Sequence, residues 1–324
     1  MDLPLWIQCP STRVKEDRVT ALCMLLRRLA YPTRFADVEM QFGWERSRFS
    51  RITRLTALKI WSRWKHLLRF DASRLTRSKL AEFAQVIQAK GAPLDLVAAL
   101  IDGTLRKNAR PVRNQRLVFN GWKRIHCLKY HALISPDGLI IHVYGPVDGC
   151  RHDQTVFAQS GLSTILEQYF WTPSGQALYI YGDSGYTPGP HTLSPFKGPA
   201  LSAEEKQFNY RMSRIREPVE WIFKEISQQF EFLDFARSQK ILLMPCGLFY
   251  MVGLLLCNAH TILHYPQISQ YFNCAPPSLR EYFNGPPCHE PDLDEWCQDS
   301  ILEEIEVEDT GSSDEDNSDS IFRH

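Results

Sequence analysis

Two apolar runs of strand length, each stopping at an acid with a glycine beside it, limit what this chain can fold into more than any other feature. Residues 98–104 read Ala-Ala-Leu-Ile-Asp-Gly-Thr, and residues 178–186 read Leu-Tyr-Ile-Tyr-Gly-Asp-Ser-Gly-Tyr. A short apolar run bounded by turn formers predicts a fully buried strand, of the kind that lies inside a sheet covered on both faces. Asp102 and Asp183 are therefore expected at the C-terminal edges of two such strands. Between the runs, residues 123–134 and 139–144 flank Pro136-Asp-Gly138, and an Asp-Gly step between strand-like segments predicts a β-hairpin. Residues 152–170 read as mainly helical, 176–182 as the strand carrying Asp183, and 192–196 as a short last strand. Ser202 with Glu205 three residues on forms a capping box. It opens a helical pattern that Pro218 restarts or kinks and that carries a third acid, Glu220.

The first 92 residues follow a different period. Residues 14–29 read as a helix with Val19, Leu22, Leu25 or Leu26, and Leu29 inward, ended by Tyr31-Pro32. Thr33 is placed to cap a short second helix with Phe35, Val38 and Phe42 inside and Gly43 at its C-terminal cap. A third helix, about 45–68, buries Phe49, Ile52 and Leu55 or Thr56 and sets Arg48, Arg51 and Arg54 on an outer face. Eight bases against one acid lie between Trp44 and Arg69, Arg46 among them. Short helix, glycine turn and basic helix read as helix-turn-helix, with the third helix offered to duplex DNA; a solvated basic face is the alternative. Residues 75–89 add one more amphipathic helix, and Lys90-Gly-Ala-Pro93 breaks it.

Net charge is zero, but the last 35 residues, 290–324, hold fourteen acids and one base, leaving 36 bases against 23 acids in the body. An excess of +13 suits a polyanionic partner. The acidic end is expected to be disordered, serving either as a tethered DNA mimic or only as a solubilising tail. Nine cysteines without a C-x-x-C pair fit reduced thiols and argue against a structural zinc. The longest apolar run, residues 245–257, is too short to span a bilayer and reads as a buried core helix, so no membrane role is expected. A secretory signal is not expected, and no internal repeat is visible. The resulting expectation is an N-terminal helical region over 1–92, an α/β domain over 93–270, and a Pro-rich then acidic tail over 271–324.

Three carboxylates delivered by strand, strand and helix suit a hard divalent cation. Each also has a plain structural duty open to it: Asp102 as a turn cap before Gly103, Asp183 in an Asx turn before Gly185, Glu220 as a first-turn acid. The element order matches a ribonuclease H-like mixed sheet flanked by helices. The chain resembles Harbinger-type transposases, the DDE superfamily endonucleases, on Ile101-Asp-Gly-Thr104, Arg110-Pro111, Phe119-Asn-Gly121 leading to His126 and Lys129, and Pro136-Asp-Gly-Leu139. The likeness continues in Gly149-Cys-Arg-His-Asp153, Tyr181-Gly-Asp-Ser-Gly-Tyr186 and Arg216-x-x-Val-Glu220. It departs at Phe119, where the family often has Tyr, and at Pro218.

The resemblance implies that Asp102, Asp183 and Glu220 are the catalytic and metal-binding triad, holding two Mg2+ or Mn2+ ions, with Asp153 either assisting or N-capping the next helix. It implies a nuclear enzyme that cuts double-stranded DNA at transposon ends, with strand transfer as an extension and a Myb-like partner protein; an oligomer is compatible with it. Arg46, Arg48, Arg51, Arg54 and Lys129 are the expected DNA contacts, His126 and Lys129 being equally readable as packing residues. The competing reading is a domesticated, catalytically silent DNA-binding protein that keeps the fold. A ribonuclease H acting on RNA is disfavoured by the N-terminal helices.

Overall fold

Asp17 begins the first helix: its carboxylate accepts from the amides of Val19 and Thr20 at 3.0 and 3.1 Å, satisfying two of the donors that every helix start leaves free. The computed structural model describes residues 3–9, 12–241 and 243–284. These belong to one compact unit, and the acidic tail, with both readings of its role, lies outside the described residues. Strands β1 (Trp6–Gln8) and β2 (Lys15–Asp17) pair antiparallel ahead of α1 (Arg18–Ala30), so the helix starts later than the sequence pattern suggests. Its buried residues are Ala21, Met24, Leu25 and Leu29, while Val19 is exposed. The inner stripe is rotated from the expected one because the first turn is given over to capping and to the β2 junction.

Helix α2 (Phe35–Phe42) ends as expected at Gly43, whose φ of 67° is the left-handed conformation that glycine tolerates. Arg34, and not Thr33, is its N-cap, and Phe42 is exposed, stacked on Trp44. Helix α3 (Arg46–Trp64) then passes into a 3-10 turn over Lys65–Leu68. Phe49, Ile52 and Thr56 are buried as expected, but so are Ala57, Leu58, Ile60, Trp61 and Trp64. The second half of α3 is therefore core. Arg28 lies over the rings of Phe35 and Phe232, at 4.6 and 4.0 Å, joining α1 to the C-terminal half. Helix α4 (Arg77–Ala89), capped by Thr76, completes the helical region.

One mixed sheet follows. Its centre is β3 (Val97–Lys107); β4 (Phe119–Asn120) pairs with the start of β5 (Ile125–Ile134), which runs antiparallel to β3. The hairpin mate β6 (Ile140–Asp148) lies beyond β5. The turn forms where Pro-Asp-Gly predicted it, with the buried Asp137 carboxylate accepting from the Leu139 amide at 3.3 Å and Gly138 at φ +83°. After α5 (Asp153–Gln159) and α6 (Leu162–Tyr169), β7 (Tyr179–Tyr181) joins β3 in parallel, and β8 (Thr192–Leu193) joins β7. Both are shorter than their apolar runs. Helix α7 (Ala203–Gln229) starts with the expected Ser202–Glu205 capping box and continues through Pro218 without a break. Helix α8 (Cys246–His264) takes in the apolar run 245–257 almost from its start and extends past it, after a 3-10 turn over Ala236–Ser238.

Side-chain alternation along β3 assigns the two faces of the sheet. Gly103 points to α5, since a Cβ there would press on Asp153, and His131, its register partner, lies against Phe157 of α5. Arg106 and Tyr130 point the other way, to Tyr250 of α8. Helices thus cover both faces, as the long apolar strands require. Asn258 of α8 pins the edge strand β6 by exchanging hydrogen bonds with both the amide and the carbonyl of Ile140, at 2.9 and 2.8 Å. Helix α8 is long and apolar enough to cross a membrane, but 78% of its apolar window is buried within the fold. The seven described cysteines are free thiols.

Candidate active site

The parallel pairing of β3 with β7 decides where the first two acids meet. Its last register pair is Leu100 with Tyr181, so Asp102 and Asp183 each stand two residues further on, side by side past the end of β7. Asp102 is nonetheless not at a strand end. The antiparallel pairing of β3 with β5 continues to Lys107 opposite Cys127, which leaves Asp102 in mid-strand, opposite Ala132. A carboxylate fixed by ladder hydrogen bonds on one side and open on the other is held more rigidly than one in a loop.

Asp102 faces α7. Its Oδ2 lies 3.2 Å from Nη1 of Arg216, whose Nη2 is 3.1 Å from Oε1 of Glu220 one helical turn on. The guanidinium therefore bridges the first and third acids, one nitrogen to each carboxylate. Asp102 also accepts from the Gly103 amide at 3.0 Å. Burial pushes its pKa up to about 6, aided by the charges of Asp183 and Glu220 and opposed by Arg216 and the Gly103 amide. Asp183 accepts from the Gly185 amide at 2.8 Å, the Asx turn that its sequence allows. Glu220 is exposed, with 62% of its side chain open to solvent.

Asp153 is the first residue of α5, not its cap; His152 holds that position without a side-chain bond. The Asp153 carboxylate sits over Gly103 and beside Gly185, approaching the sheet from the face opposite Arg216. Its partner is Lys129, 3.0 Å away, whose ammonium also donates to the Arg151 carbonyl at 2.8 Å. Only 8% of the Lys129 side chain is exposed, and its charge is held by Asp153 on the α5 side of the sheet. Of the other basic residues, Arg46 pairs with Glu39 and Arg48 with Glu16, each at 2.6 Å, and Arg51 and Arg54 are exposed on α3. His126 packs on Phe119, with the ring centroids 5.2 Å apart and the planes tilted by 56°.

Three residues that shape this site had no role in the sequence reading. Arg216 was legible only as a base one turn before Glu220, a spacing that favours pairing. Tyr186 is buried with its hydroxyl unpartnered among the described residues; burial, then the charges of Asp153, Asp102 and Asp183, raises its pKa. It fits because Gly182 has no side chain, since a Cβ there would lie 2.5 Å from the Tyr186 ring and 2.9 Å from Ile101. Arg106 is one more base whose surroundings the sequence leaves open. It lies in β3, buried, and donates to Ser227 Oγ and the Phe223 carbonyl of α7 at 2.7 and 3.2 Å.

Among the described residues no three acid, His or Cys side chains stand close enough together to form a preset ligand group. The donor chemistry nevertheless fits a hard divalent cation: oxygen ligands only, from carboxylates whose mutual repulsion is felt at Asp102 and is relieved by positive charge. Arg216 supplies such charge between Asp102 and Glu220.

Residues 101–258 match the family model described as DDE superfamily endonuclease. That segment contains Asp102, Asp153, Asp183, Arg216 and Glu220, and its mixed sheet between helices fits a ribonuclease H-like DDE fold. Comparisons with curated proteins and with solved structures found no match.

Proposed function

We propose that this chain is a metal-dependent DNA endonuclease of the DDE type, acting at the ends of a transposable element, with strand transfer as its second step. The observation that carries the reading is the register that sets Asp102 beside Asp183, with Glu220 tied to Asp102 through Arg216. All of this lies inside the segment similar to DDE superfamily endonucleases. Asp102, Asp183 and Glu220 would hold two Mg2+ or Mn2+ ions, with Asp153 behind them. Such ions, when bound, supply Lewis acidity and an activated water for in-line displacement at phosphorus.

The chain's own residues do the positioning. Asp102 offers an oxygen from a rigid strand, and Asp183 offers one from a turn locked by its bond to Gly185. Glu220 projects from a helix that Arg106 fastens to β3. Arg216 holds two carboxylates at a fixed separation and presents a guanidinium suited to a phosphate oxygen. Arg51 and Arg54 on α3, with Arg46 and Arg48 exchanging their acid partners for phosphates, extend the contact along duplex DNA. The Harbinger-type assignment rests on the motifs in the sequence, and the nuclear location and a Myb-like partner rest on the family resemblance alone.

The test is incubation of the purified full chain with Mn2+ and labelled candidate transposon ends, beside Asp183→Asn and Glu220→Gln. Wild-type cleavage lost in both variants, with DNA binding retained, supports the reading. Wild-type binding without cleavage favours the catalytically silent protein, and unimpaired cleavage by Asp183→Asn removes the site assignment.

A further inference from the structure

Residues 103–136 contain eight Lys and Arg and no Asp or Glu. Five of them, Arg110, Arg113, Arg116, Lys123 and Arg124, are exposed on the excursion between β3 and β5. At its tip stands Trp122, 88% exposed. An indole left in water forgoes the burial that makes Trp valuable to a fold. Here it is also held in place. Phe119 pairs with His126 and Asn120 with Ile125, so residues 121–124 form a tight four-residue turn. The Asn120 side chain clamps that turn from inside, accepting from the Lys123 amide at 2.8 Å and donating to the Gly149 carbonyl at 2.7 Å. The latter bond ties the tip to the segment that leads into Asp153.

We infer that this hairpin is a second nucleic-acid contact, in which Trp122 stacks on an unpaired base while the flanking cations hold the backbone phosphates. An aromatic face accepts any base, and a basic groove tracks the backbone; together they make the recognised platform for single strands. Trp122, with Phe119 39% exposed in the same hairpin, stands amid five exposed cations, the composition of such a platform. Position agrees. Lys107 is five residues beyond Asp102 on β3, about 17 Å at strand rise, which corresponds to about five nucleotides along a strand. The hairpin would thus meet DNA a few nucleotides from the bond at the acids, where opening of the duplex exposes bases. The inference rests on the nuclease reading for its ligand, but not on cleavage.

The experiment uses the full chain in EDTA, so that no bond is cut. Fluorescence anisotropy measures affinity for a 20-nucleotide strand, for the blunt duplex of that sequence, and for a forked duplex with unpaired ends. Trp122→Ala should weaken binding to strand and fork by about tenfold, and Trp122→Phe should restore most of it; the blunt duplex should change by less than about twofold. Melting temperature should be unaltered, since the ring contributes little burial. Equal affinity of Trp122→Ala and wild type for the single strand would overturn the inference and leave the nuclease reading intact. Failure of the wild type to bind any of the three DNAs would remove both. Trp122-dependent binding by a chain that never cleaves in Mn2+ would keep the inference and sink the nuclease.

Discussion

Replacing Arg106 tests whether the helix carrying Glu220 is fastened to the strand carrying Asp102. The two side chains leave β3 on the same face, four residues apart. The Arg106 guanidinium donates to Ser227 Oγ at 2.7 Å and to the Phe223 carbonyl at 3.2 Å, with Asp234 at 3.6 Å and the Tyr250 ring at 4.9 Å. Phe223 lies one turn beyond Glu220. Arg106→Met keeps the apolar stem and removes both hydrogen bonds. A bond from a charged donor contributes about 1.5–3 kcal/mol, and relief of the buried charge offsets part of the loss. The half-exposed Asp234 adds little.

A net loss of about 2 kcal/mol follows for the Met variant, and about 3–5 kcal/mol for Arg106→Ala, which also opens a cavity. For a fold of about 280 residues, with an unfolding entropy of about 2.1 cal/mol/K per residue, 2 kcal/mol lowers the melting temperature by about 3–4 °C. Urea and thermal unfolding measure the effect. A double-mutant cycle with Ser227→Ala should show coupling of about 1 kcal/mol between the pair. A Met variant as stable as wild type, or no coupling to Ser227, would refute the brace.

Asp102→Asn reads the cost of the buried acid. Its folded pKa of about 6 exceeds the ordinary 3.8, so the fold holds a proton that the unfolded chain releases and stability falls as pH rises through that window; the variant should gain about 1–3 kcal/mol at pH 7.5 and nothing at pH 3.5 in metal-free melts. Gly182→Ala should lose about 1–3 kcal/mol in urea titration, because its Cβ meets the rigid Tyr186 ring and Ile101. Arg48→Ala with Arg51→Ala and Arg54→Ala should remove most low-salt duplex binding and flatten the salt dependence of what remains, at a cost in unfolding of about 1–2 kcal/mol because the Arg48–Glu16 pair is part-buried, Glu16 being only 14% exposed. Unchanged duplex affinity in that triple variant would move the main DNA surface to the hairpin around Trp122.

Much of the fold was legible because its causes lie within a few residues. The Asp137-Gly138 turn, the Gly43 cap, the Ser202–Glu205 box and the apolar runs of β3 and β7 depend on local hydrogen bonds, φ angles and periodicity, and each stands where the sequence places it. The approach of Asp102 to Asp183 also follows from two buried strands running in parallel. What the sequence could not determine depends on partners distant along the chain. Asp102 is in mid-strand because β5 outlasts β7 as a neighbour of β3. Arg106 is buried because α7 and α8 close over that face, and Lys129 turns inward because α5 brings Asp153 within 3.0 Å. The second half of α3 is core because α8 packs on it. Basic residues look alike in a sequence, and only the chain that folds over them decides whether a charge meets solvent, a carboxylate or DNA, since burial makes an unpaired charge too costly to leave alone.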